Sequence, residues 1–353
     1  MSPKVALILI NYKDYAQKYL AECLASLRQQ DYAGHSRLFI VDNESSSESF
    51  NYLKKMAPEA EIVVNKNNDG FAKGNNDALK LALALDYDYA ILFNMDTIVA
   101  KNCISELVKA AAIDSKVGAV QARLMLYPEK ELINSLGNTT HFLGFGYCLG
   151  YREPMTDAKM AVKDIMYPSG AAVLFNLSIL REVGLFDEVF WMYNEDQDLG
   201  WRLWLSGYSC LVAPAAVVYH KYEFSKSITK YYWMDRNRIL AMWKNYSLVT
   251  LVLIFPAFVI MELGLLLFAL KGGWLKEKLK VWGYFLHLDT WVYIIKARAE
   301  VQIKRQLKDY ELLKMFSGRI WYQEIGDWKL RLVNPFFVAY FWLVKIIIKW
   351  LRA

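Results

Sequence analysis

The sequence contains little that would mark a small secreted protein or a metal-clustered one. Its only cysteines are Cys23, Cys103, Cys148 and Cys210. Their spacing never forms the CxxC pattern of zinc or redox sites, and a chain of 353 residues can bury a core without disulfides. Internal repeats and low-complexity tracts are also absent. These absences exclude a disulfide-stapled module and predict a reducing compartment.

Short β-branched runs alternate with amphipathic helical patterns over the first hundred residues. The predicted strands are KVALILINY, SRLFIVDN, AEIVVNK and YAILFNMDT, and the helices between them are YAQKYLAECLASLRQQ, ESFNYLKKMA and AKGNNDALKLALAL. The first run is too short for a secretory leader and becomes polar at Asn11. This alternation predicts βαβ crossovers and a mostly parallel, helix-covered sheet, with ligands beyond the carboxyl ends of its strands.

Charge divides the chain near His220. Beyond this residue 22 Lys and Arg face 10 Asp and Glu, a net charge of +12, whereas the preceding part has a net charge of −6. Large apolar blocks separate the basic residues of the second part. The pattern predicts contact with an anionic membrane surface, and single-stranded nucleic acid is the weaker alternative.

Two apolar segments lie in this basic part. SLVTLVLIFPAFVIMELGLLLFAL, residues 247–270, approaches the length of a spanning helix, about 20 apolar residues, but Pro256 and Glu262 are predicted to interrupt it. The terminal NPFFVAYFWLVKIIIKWLRA has the aromatic and lysine spacing of an interfacial helix. Residues 246–353 are therefore predicted to form a helical, membrane-associated region, and a soluble helical domain with an apolar core is the alternative.

Polar clusters fall in loops and at predicted strand ends, where such a sheet would bring them together. They are Asp42, NNDGFAKGNN at 67–76, Asn94 with Asp96, PSGAAVLF at 168–175, NEDQD at 194–198, and His220. Each has an ordinary structural explanation as a turn, a loop or a helix start. NEDQDLGWRLWLSGY, for instance, predicts a helix capped by Asn194 and stopped by Gly207, which accounts poorly for three carboxylates between aromatic residues.

In this order the motifs resemble those of family 2 glycosyltransferases with the GT-A fold, near the bacterial rhamnosyltransferase-like and galactofuranosyltransferase-like members. The resemblance covers roughly residues 4–245 and includes YYWMDRNRILAMWKN. It implies a Rossmann-like α/β catalytic domain over residues 1–245. It also implies inverting sugar transfer from a dTDP-, UDP- or GDP-linked donor to a glycan or lipid-linked saccharide, at the cytoplasmic face of the membrane, in cell-surface polysaccharide synthesis without nucleic acid.

The resemblance assigns the donor side of the site to several motifs. Asp42 would hold the base or ribose of the nucleotide. The pocket for the nucleotide sugar would be lined by Asn68, Asp69, Gly70, Lys73 and Asn75. NMDT corresponds to the metal-binding DxD motif, although Asn94 replaces the first Asp and removes one charge. Asp96 and His220 would hold Mg²⁺ or Mn²⁺, which stabilises the charge of the leaving diphosphate.

The acidic motif and its aromatic neighbours would form the acceptor side. Asp196 is the expected catalytic base for the acceptor hydroxyl, with Glu195 and Asp198 bracing the site. Trp191 and Tyr193 suit packing against a sugar ring, and Arg202 would balance charge near the acceptor.

Three other interpretations of the sequence remain open. A processive polysaccharide synthase is disfavoured by the absence of its QxxRW signature, and a sugar nucleotidyltransferase by the absence of an early glycine-rich triphosphate loop. A non-catalytic membrane adaptor that retains the fold is favoured only by Asn94.

Overall fold

The computed structural model describes residues 2–221, 229–321 and 328–351. The described residues group into two compact units. The first unit lies within Met1–Asn138, Cys148–Leu203 and Tyr208–Glu223, and the second within Thr139–Tyr147, Trp204–Gly207 and Phe224–Ala353. This division does not coincide with the predicted boundary near residue 245.

Twelve strands occur in the described part of the chain. They are β1 (Val5–Tyr12), β2 (Ser36–Asn43), β3 (Glu61–Val64), β4 (Tyr89–Phe93), β5 (Thr97–Val99), β6 (Val117–Leu126), β7 (Ile133–Ser135), β8 (Asn138–Thr140), β9 (Gly146–Cys148), β10 (Lys163–Asp164), β11 (Ala172–Asn176) and β12 (Ser209–His220).

Twelve α-helices occur in the same described residues. They are α1 (Tyr15–Leu27), α2 (Ser47–Met56), α3 (Gly70–Ala84), α4 (Cys103–Ala111), α5 (Leu177–Val183), α6 (Glu195–Leu205), α7 (Thr229–Asn245), α8 (Leu248–Gly272), α9 (Leu275–Tyr284), α10 (Leu288–Lys304), α11 (Asp309–Leu312) and α12 (Trp328–Leu351). Single 3₁₀ turns occupy Asp157–Lys159 and Glu188–Phe190.

The main sheet of the first unit confirms the predicted α/β fold. Its strand order is β10-β12-β6-β11-β4-β1-β2-β3, with β5 joined to β12 and β7 joined to β6. Strands β4, β1, β2 and β3 are parallel, as the βαβ alternation predicts, and β12 is parallel to β6. Strand β11 runs antiparallel between β4 and β6, so the sheet is mixed.

The carboxyl ends of the parallel strands position the polar motifs. Asn11 of β1 lies opposite Asp42 of β2, and β4 ends one residue before Asn94. Apolar residues of these strands, among them Leu9, Ile40 and Ile91, are buried beneath the helices. The core therefore fixes the strands, and their ends present the site residues along one edge.

Helix α8 differs from the sequence prediction. The expected interruption at Pro256 and Glu262 is wrong, because one helix runs through both residues from Leu248 to Gly272. The Glu262 carboxylate is tolerated because Arg238 and Lys278 neutralise it. By length and composition, Leu248–Gly272 and Arg331–Leu351 could each cross a membrane, with mean hydropathies of 2.6 and 1.6.

Candidate active site

Asp42 organises the loop that follows β2. Its side chain is fully buried, and it accepts hydrogen bonds from Asn11 Nδ2 (2.7 Å), Ser45 Oγ (2.6 Å) and Ser49 Oγ (2.7 Å). Ser49 also completes a capping box with Ser46 at the start of α2. These bonds fix the loop, so the nucleotide-binding role of Asp42 stays a prediction.

The predicted donor loop runs into helix α3, which begins at Gly70, two residues earlier than the sequence pattern indicates. The amide of Gly70 donates to Asn68 Oδ1 (3.1 Å), and its carbonyl accepts from Asn43 Nδ2 (3.0 Å). Asn75 is buried and donates to the carbonyl of Phe71 (3.0 Å). The loop is therefore held to the end of β2 by side-chain amides.

Lys73 faces two carboxylates on the same helix. Its Nζ lies 3.0 Å from Asp69 and 2.9 Å from Asp77, and these partners raise the pKa of the lysine. The Asp77 carboxylate also accepts from Asn65 Nδ2 (2.9 Å). Lys73 thus carries a charge that its neighbours already balance in this conformation.

Trp191 fastens the segment before the acidic motif to the donor loop. Its carbonyl accepts from the amide of Ala72 (3.1 Å), and its indole Nε1 donates to the carbonyl of Asn68 (3.4 Å). Gly70 has φ of +79°, and a Cβ there would lie 2.5 Å from the indole ring. Sequence reasoning places Trp191 at the acceptor and misses this link, although Gly70 is the signal for it.

The segment that Trp191 begins is strained. Trp191, Tyr193 and Asn194 all have positive φ values, of 60°, 69° and 63°. Non-glycine residues rarely adopt this region, and such strain is typical of functional segments. Burial, with the nearby Glu195 as a smaller cause, raises the pKa of Tyr193. The donor loop therefore holds the start of α6 in a conformation that the segment would not adopt alone.

Gly70→Ala tests this fastening. We expect donor affinity to fall roughly tenfold, because the Cβ would displace the Trp191 ring and leave only a minor fraction of the protein with the donor loop in its binding conformation. The left-handed L-residue should in addition lower the stability of the fold by about 1–2 kcal/mol. Calorimetric titration with UDP and with the accepted nucleotide sugar measures the change. Gly264→Ala in α8 is the matched control, since a Cβ there has no atom within 4 Å. Unchanged donor affinity in a folded Gly70→Ala protein would contradict the role of the contact.

Asp96 and His220 meet at the end of β12. The His220 Nε2 atom lies 3.4 Å from Asp96 Oδ1, and both residues are buried. Asp96 Oδ1 has no hydrogen-bond partner among the described residues. The Lys221 amide donates to the Asp96 carbonyl (2.8 Å), which fixes the two chain segments together.

These two side chains fit a divalent cation. Asn134 Oδ1 lies 3.0 Å from His220 Nδ1, and an imidazole with its proton on Nδ1 would present Nε2 to a cation on the side of the Asp96 carboxylate. Two electron-rich atoms at this distance are stabilised by a cation between them, and a ligating histidine normally donates its other N–H to an oxygen. Three or more His, Cys, Asp or Glu side chains do not converge anywhere in the described residues, so further ligands would come from the donor.

Asn94 shapes the turn that carries Asp96. Its amide donates to the carbonyl of Ala171 (2.9 Å), and its carbonyl accepts from Thr97 Oγ1 (2.6 Å). The motif NMDT therefore forms a turn between β4 and β5 rather than the end of one long strand.

Helix α6 carries the three carboxylates of NEDQD in its first turn. It begins at Glu195, directly after Asn194, whose carbonyl accepts from the Asp198 amide (2.9 Å). Gly207, which lies past the end of the helix, has φ of +81°. The helix start predicted from the sequence is thus confirmed.

Asp198 is paired internally with Arg202. The Asp198 side chain is fully buried, and its Oδ2 lies 2.8 Å from Arg202 Nε. The Arg202 guanidinium also donates to the carbonyls of Val183, Gly184 and Leu185. These contacts make the pair a structural anchor for the loop after α5, and they favour this role for Arg202 over acceptor binding.

Asp196 is the carboxylate that combines basicity with access. Its Oδ2 accepts from the Gly170 amide (3.3 Å) and its Oδ1 from the Gln197 amide (2.8 Å), and it is less buried than its two acidic neighbours. Burial raises the pKa of Asp196 to about 6. Burial and then the Asp196 charge raise the pKa of Glu195 well above its usual range.

The two residues before β11 connect the Asp96 turn with the acidic motif. The Ala171 carbonyl accepts from the amide of Asn94, which starts that turn, and the amide of the adjacent Gly170 donates to Asp196. The Asp96 turn and the Asp196 side chain are therefore bonded to neighbouring residues of one backbone segment. Sequence reasoning identifies this segment as part of the site, but it misses the residue that orients His220: Asn134 lies 86 positions from His220 and carries no motif.

Comparisons with known proteins agree on one family. The profile described as "Glycosyltransferase like family 2" matches residues 3–238. The poly-beta-1,6-N-acetyl-D-glucosamine synthase of Staphylococcus aureus is 24% identical over 182 residues, which cover 51% of this chain and 41% of that protein. The N-acetylglucosaminyl-diphospho-decaprenol L-rhamnosyltransferase of Mycobacterium tuberculosis is 30% identical over 146 residues, 38% of this chain and 47% of that protein. The chain thus matches less than half the length of these curated relatives.

Solved structures share the fold. Staphylococcus aureus TarS 1–349 in complex with UDP aligns with a TM-score of 0.50 and 16% identity, covering 99% of this chain and 91% of that one. GalNAc-T7 with UDP, GalNAc and Mn²⁺ aligns with a TM-score of 0.53 and 14% identity, covering 67% and 48%. The predicted GT-A architecture is confirmed by these alignments.

Proposed function

Because the chain belongs to glycosyltransferase family 2, we propose that it is a metal-dependent, inverting enzyme. It transfers a sugar from a dTDP-, UDP- or GDP-linked donor to a hydroxyl of a glycan or lipid-linked saccharide during cell-surface polysaccharide synthesis. One observation carries the proposal: the adjacent residues 170 and 171 bond to the Asp196 carboxylate and to the backbone of the turn that carries Asp96. A leaving diphosphate and an attacking hydroxyl need such groups within one site.

Each acidic residue has a separate task in the proposed reaction. Asp196 accepts the proton of the acceptor hydroxyl as that oxygen attacks the anomeric carbon opposite the leaving diphosphate, and this single displacement inverts the centre. Burial raises the pKa of Glu195, which disfavours a second negative charge beside Asp196. Asp198 is neutralised by Arg202 and holds the helix start in place.

Asp96 and His220 would hold Mg²⁺ or Mn²⁺ together with the donor diphosphate. The cation, when bound, supplies positive charge to the departing nucleoside diphosphate. Asn134 keeps the His220 ring oriented for this purpose, and Trp191 keeps the donor loop against the segment that leads to Asp196. GalNAc-T7 was crystallised with UDP and Mn²⁺, which supports this choice of cofactor.

Nucleotide release tests the proposal directly. The purified chain is supplied with one nucleotide sugar at a time, from dTDP-, UDP- and GDP-linked series, with Mn²⁺ and a saccharide acceptor, and the anomeric configuration of the product is determined by NMR. A non-catalytic adaptor would release no nucleotide with any donor. A processive synthase, suggested by the N-acetylglucosamine polymer synthase among the relatives, would give a ladder of products rather than a single addition.

The pH dependence of turnover should reflect Asp196. We expect kcat/KM to fall below an apparent pKa of about 6, because protonation of Asp196 removes the ionised form that accepts the acceptor proton. A kcat/KM profile between pH 4.5 and 8 checks this, with circular dichroism confirming that the fold persists. A profile that is flat down to pH 5 would assign the base to a different group.

The second unit is proposed to attach the enzyme to the cytoplasmic face of the membrane. The net charge of +12 beyond His220 and the two long apolar helices α8 and α12 support attachment to anionic lipid.

A further inference from the structure

Helix α8 has two different faces along its whole length. Its buried residues include Thr250, Ile254, Ala257, Met261, Glu262 and Ala269. Residues on the opposite face are exposed, among them Val252 (72%), Val259, Leu263 and Leu270 (61%). Both sets follow the three- and four-residue spacing of a helix face. One side of α8 is therefore covered by protein from end to end, and the other side is bare and apolar.

The covered face contacts other helices of the second unit at each level. Near its start, Thr250 Oγ1 donates to the Asp309 carboxylate (2.5 Å) of α11. The Tyr340 hydroxyl of α12 donates to the carbonyl of Leu253 (2.7 Å). Near its end, Ala269 is fully buried, and the half-exposed Phe268 ring lies 5.8 Å from the ring of Trp274, the residue directly before α9. Other residues of the second unit thus cover this face of α8 along its length.

The middle of the covered face carries a buried ionic cluster. Glu262 is paired with Arg238 of α7 and, at 2.7 Å, with Lys278 of α9. Lys278 is fully buried and also lies 2.6 Å from Asp235, which pairs with Arg238 as well (2.7 Å). Two cations and two carboxylates therefore fix α8 against α7 and α9.

This cluster is incompatible with a helix that crosses the bilayer upright. The 25 residues of α8 extend roughly 37 Å, and a hydrocarbon core is about 30 Å thick. Any upright placement would carry the Glu262 level into the hydrocarbon, together with α7 and α9. Helix α9 has only ten residues and exposes Lys276 and Lys280, whose charges are costly there.

Helix α12 has the same two-faced arrangement. Phe337, Phe341, Val344 and Ile348 are buried, and Phe341 stacks on Phe142 at a centroid distance of 4.9 Å. The exposed side of α12 presents Phe336, Trp342, Leu343, Ile346 and Trp350. Lys349 is exposed near its end. Trp and Lys on an apolar helix face are typical of the membrane interface.

We propose that α8 and α12 lie in the plane of the bilayer and do not cross it, with their exposed apolar faces inserted among the acyl chains of one leaflet. The occupant of this face is anionic lipid, because the region carries a net charge of +12 and both helices have the hydropathy of membrane segments. This inference rests on the proposed membrane attachment and specifies its geometry.

Nitroxide depth measurement tests the geometry. Val252→Cys, Val259→Cys and Leu270→Cys are prepared singly in the full chain with Cys148→Ser, since the other cysteines are buried, and are bound to vesicles containing 30% phosphatidylglycerol. These positions share one exposed face of α8. An in-plane helix gives similar depths at all three, about 5–10 Å. The matched control, Ile113→Cys in the first unit, is exposed and should remain fully accessible to an aqueous relaxant.

The alternatives give different profiles. A crossing helix would place Val259 near the bilayer centre, about 15 Å deep, and Leu270 much shallower because 11 residues extend roughly 16 Å along the axis. That profile would overturn the in-plane geometry but leave membrane attachment intact. Aqueous accessibility at all three positions would overturn attachment itself, and spin–spin broadening without vesicles would assign the face to a second copy of the chain.

Discussion

Asp196→Asn is expected to lower turnover by roughly two to four orders of magnitude, the usual contribution of a positioned base. The asparagine side chain keeps the size of the carboxylate and its one oxygen can accept from either the Gly170 or the Gln197 amide, but it cannot take the acceptor proton. Donor binding should stay close to that of the unchanged enzyme, because Asp96 and the donor loop are untouched. Single-turnover kinetics and calorimetric donor titration separate these two quantities.

Asp198→Asn and Glu195→Gln are the matched controls. Glu195→Gln replaces a buried carboxyl whose pKa burial raises, and it should change turnover far less than Asp196→Asn. Asp198→Asn removes the buried partner of Arg202, so its main effect should be a loss of stability, about 3–5 kcal/mol for a broken buried ion pair. If Asp196→Asn turned over normally, the base would lie elsewhere and 191–202 would be an ordinary helix start.

Asp196→Asn is expected to raise the stability of the protein although it lowers turnover. Burial raises the pKa of Asp196 from its ordinary value near 4 to about 6, so ionisation of this residue opposes folding at pH 7. The penalty develops as the pH rises from about 4 to 6. Asp196→Asn should therefore raise the melting temperature at pH 7 and lose this advantage near pH 4. A protein that becomes more stable and less active points to a functional carboxylate rather than a structural one.

The motif order predicts most of the fold but less of the site's electrostatics. Alternating strands and helices fix the parallel part of the sheet, because period and length are local properties of the sequence. The unequal surroundings of Glu195, Asp196 and Asp198 are not local, since they depend on which carboxylate is buried and which one meets Arg202. At Asp196 burial outweighs the hydrogen bonds from backbone amides, a balance that the sequence cannot supply.

Contacts between distant residues explain the rest of what the sequence does not predict. Asn134 orients His220, and Trp191 packs on Gly70, yet neither contact has a short-range pattern. The continuity of α8 is missed for a related reason: Glu262 appears unsuited to an apolar helix until its partners Arg238 and Lys278 are brought beside it. Local rules predict elements well, whereas paired charges depend on tertiary contacts.

Asp96→Ala is expected to reduce turnover by about a thousandfold or more, because metal charge on a leaving diphosphate contributes several kcal/mol to catalysis. Excess chelator should abolish turnover of the unchanged enzyme, and Mn²⁺ should restore it. The change should leave the fold intact, since Asp96 Oδ1 has no hydrogen-bond partner among the described residues. Binding of Mn²⁺ in the presence of UDP, followed by the EPR signal of free Mn²⁺, gives a readout that does not depend on activity.

Two further variants test whether Asp96 is a metal ligand or only a buried charge. Asn134→Ala removes only the group that orients His220 and should weaken Mn²⁺ binding by roughly 10–100-fold, less than Asp96→Ala does. Asp86→Asn removes an exposed carboxylate of the first unit and should change neither Mn²⁺ binding nor turnover. Full Mn²⁺ affinity in Asp96→Ala would place the metal elsewhere. A graded loss, largest at Asp96 and smaller at Asn134, is the pattern that a two-residue site completed by the donor diphosphate requires.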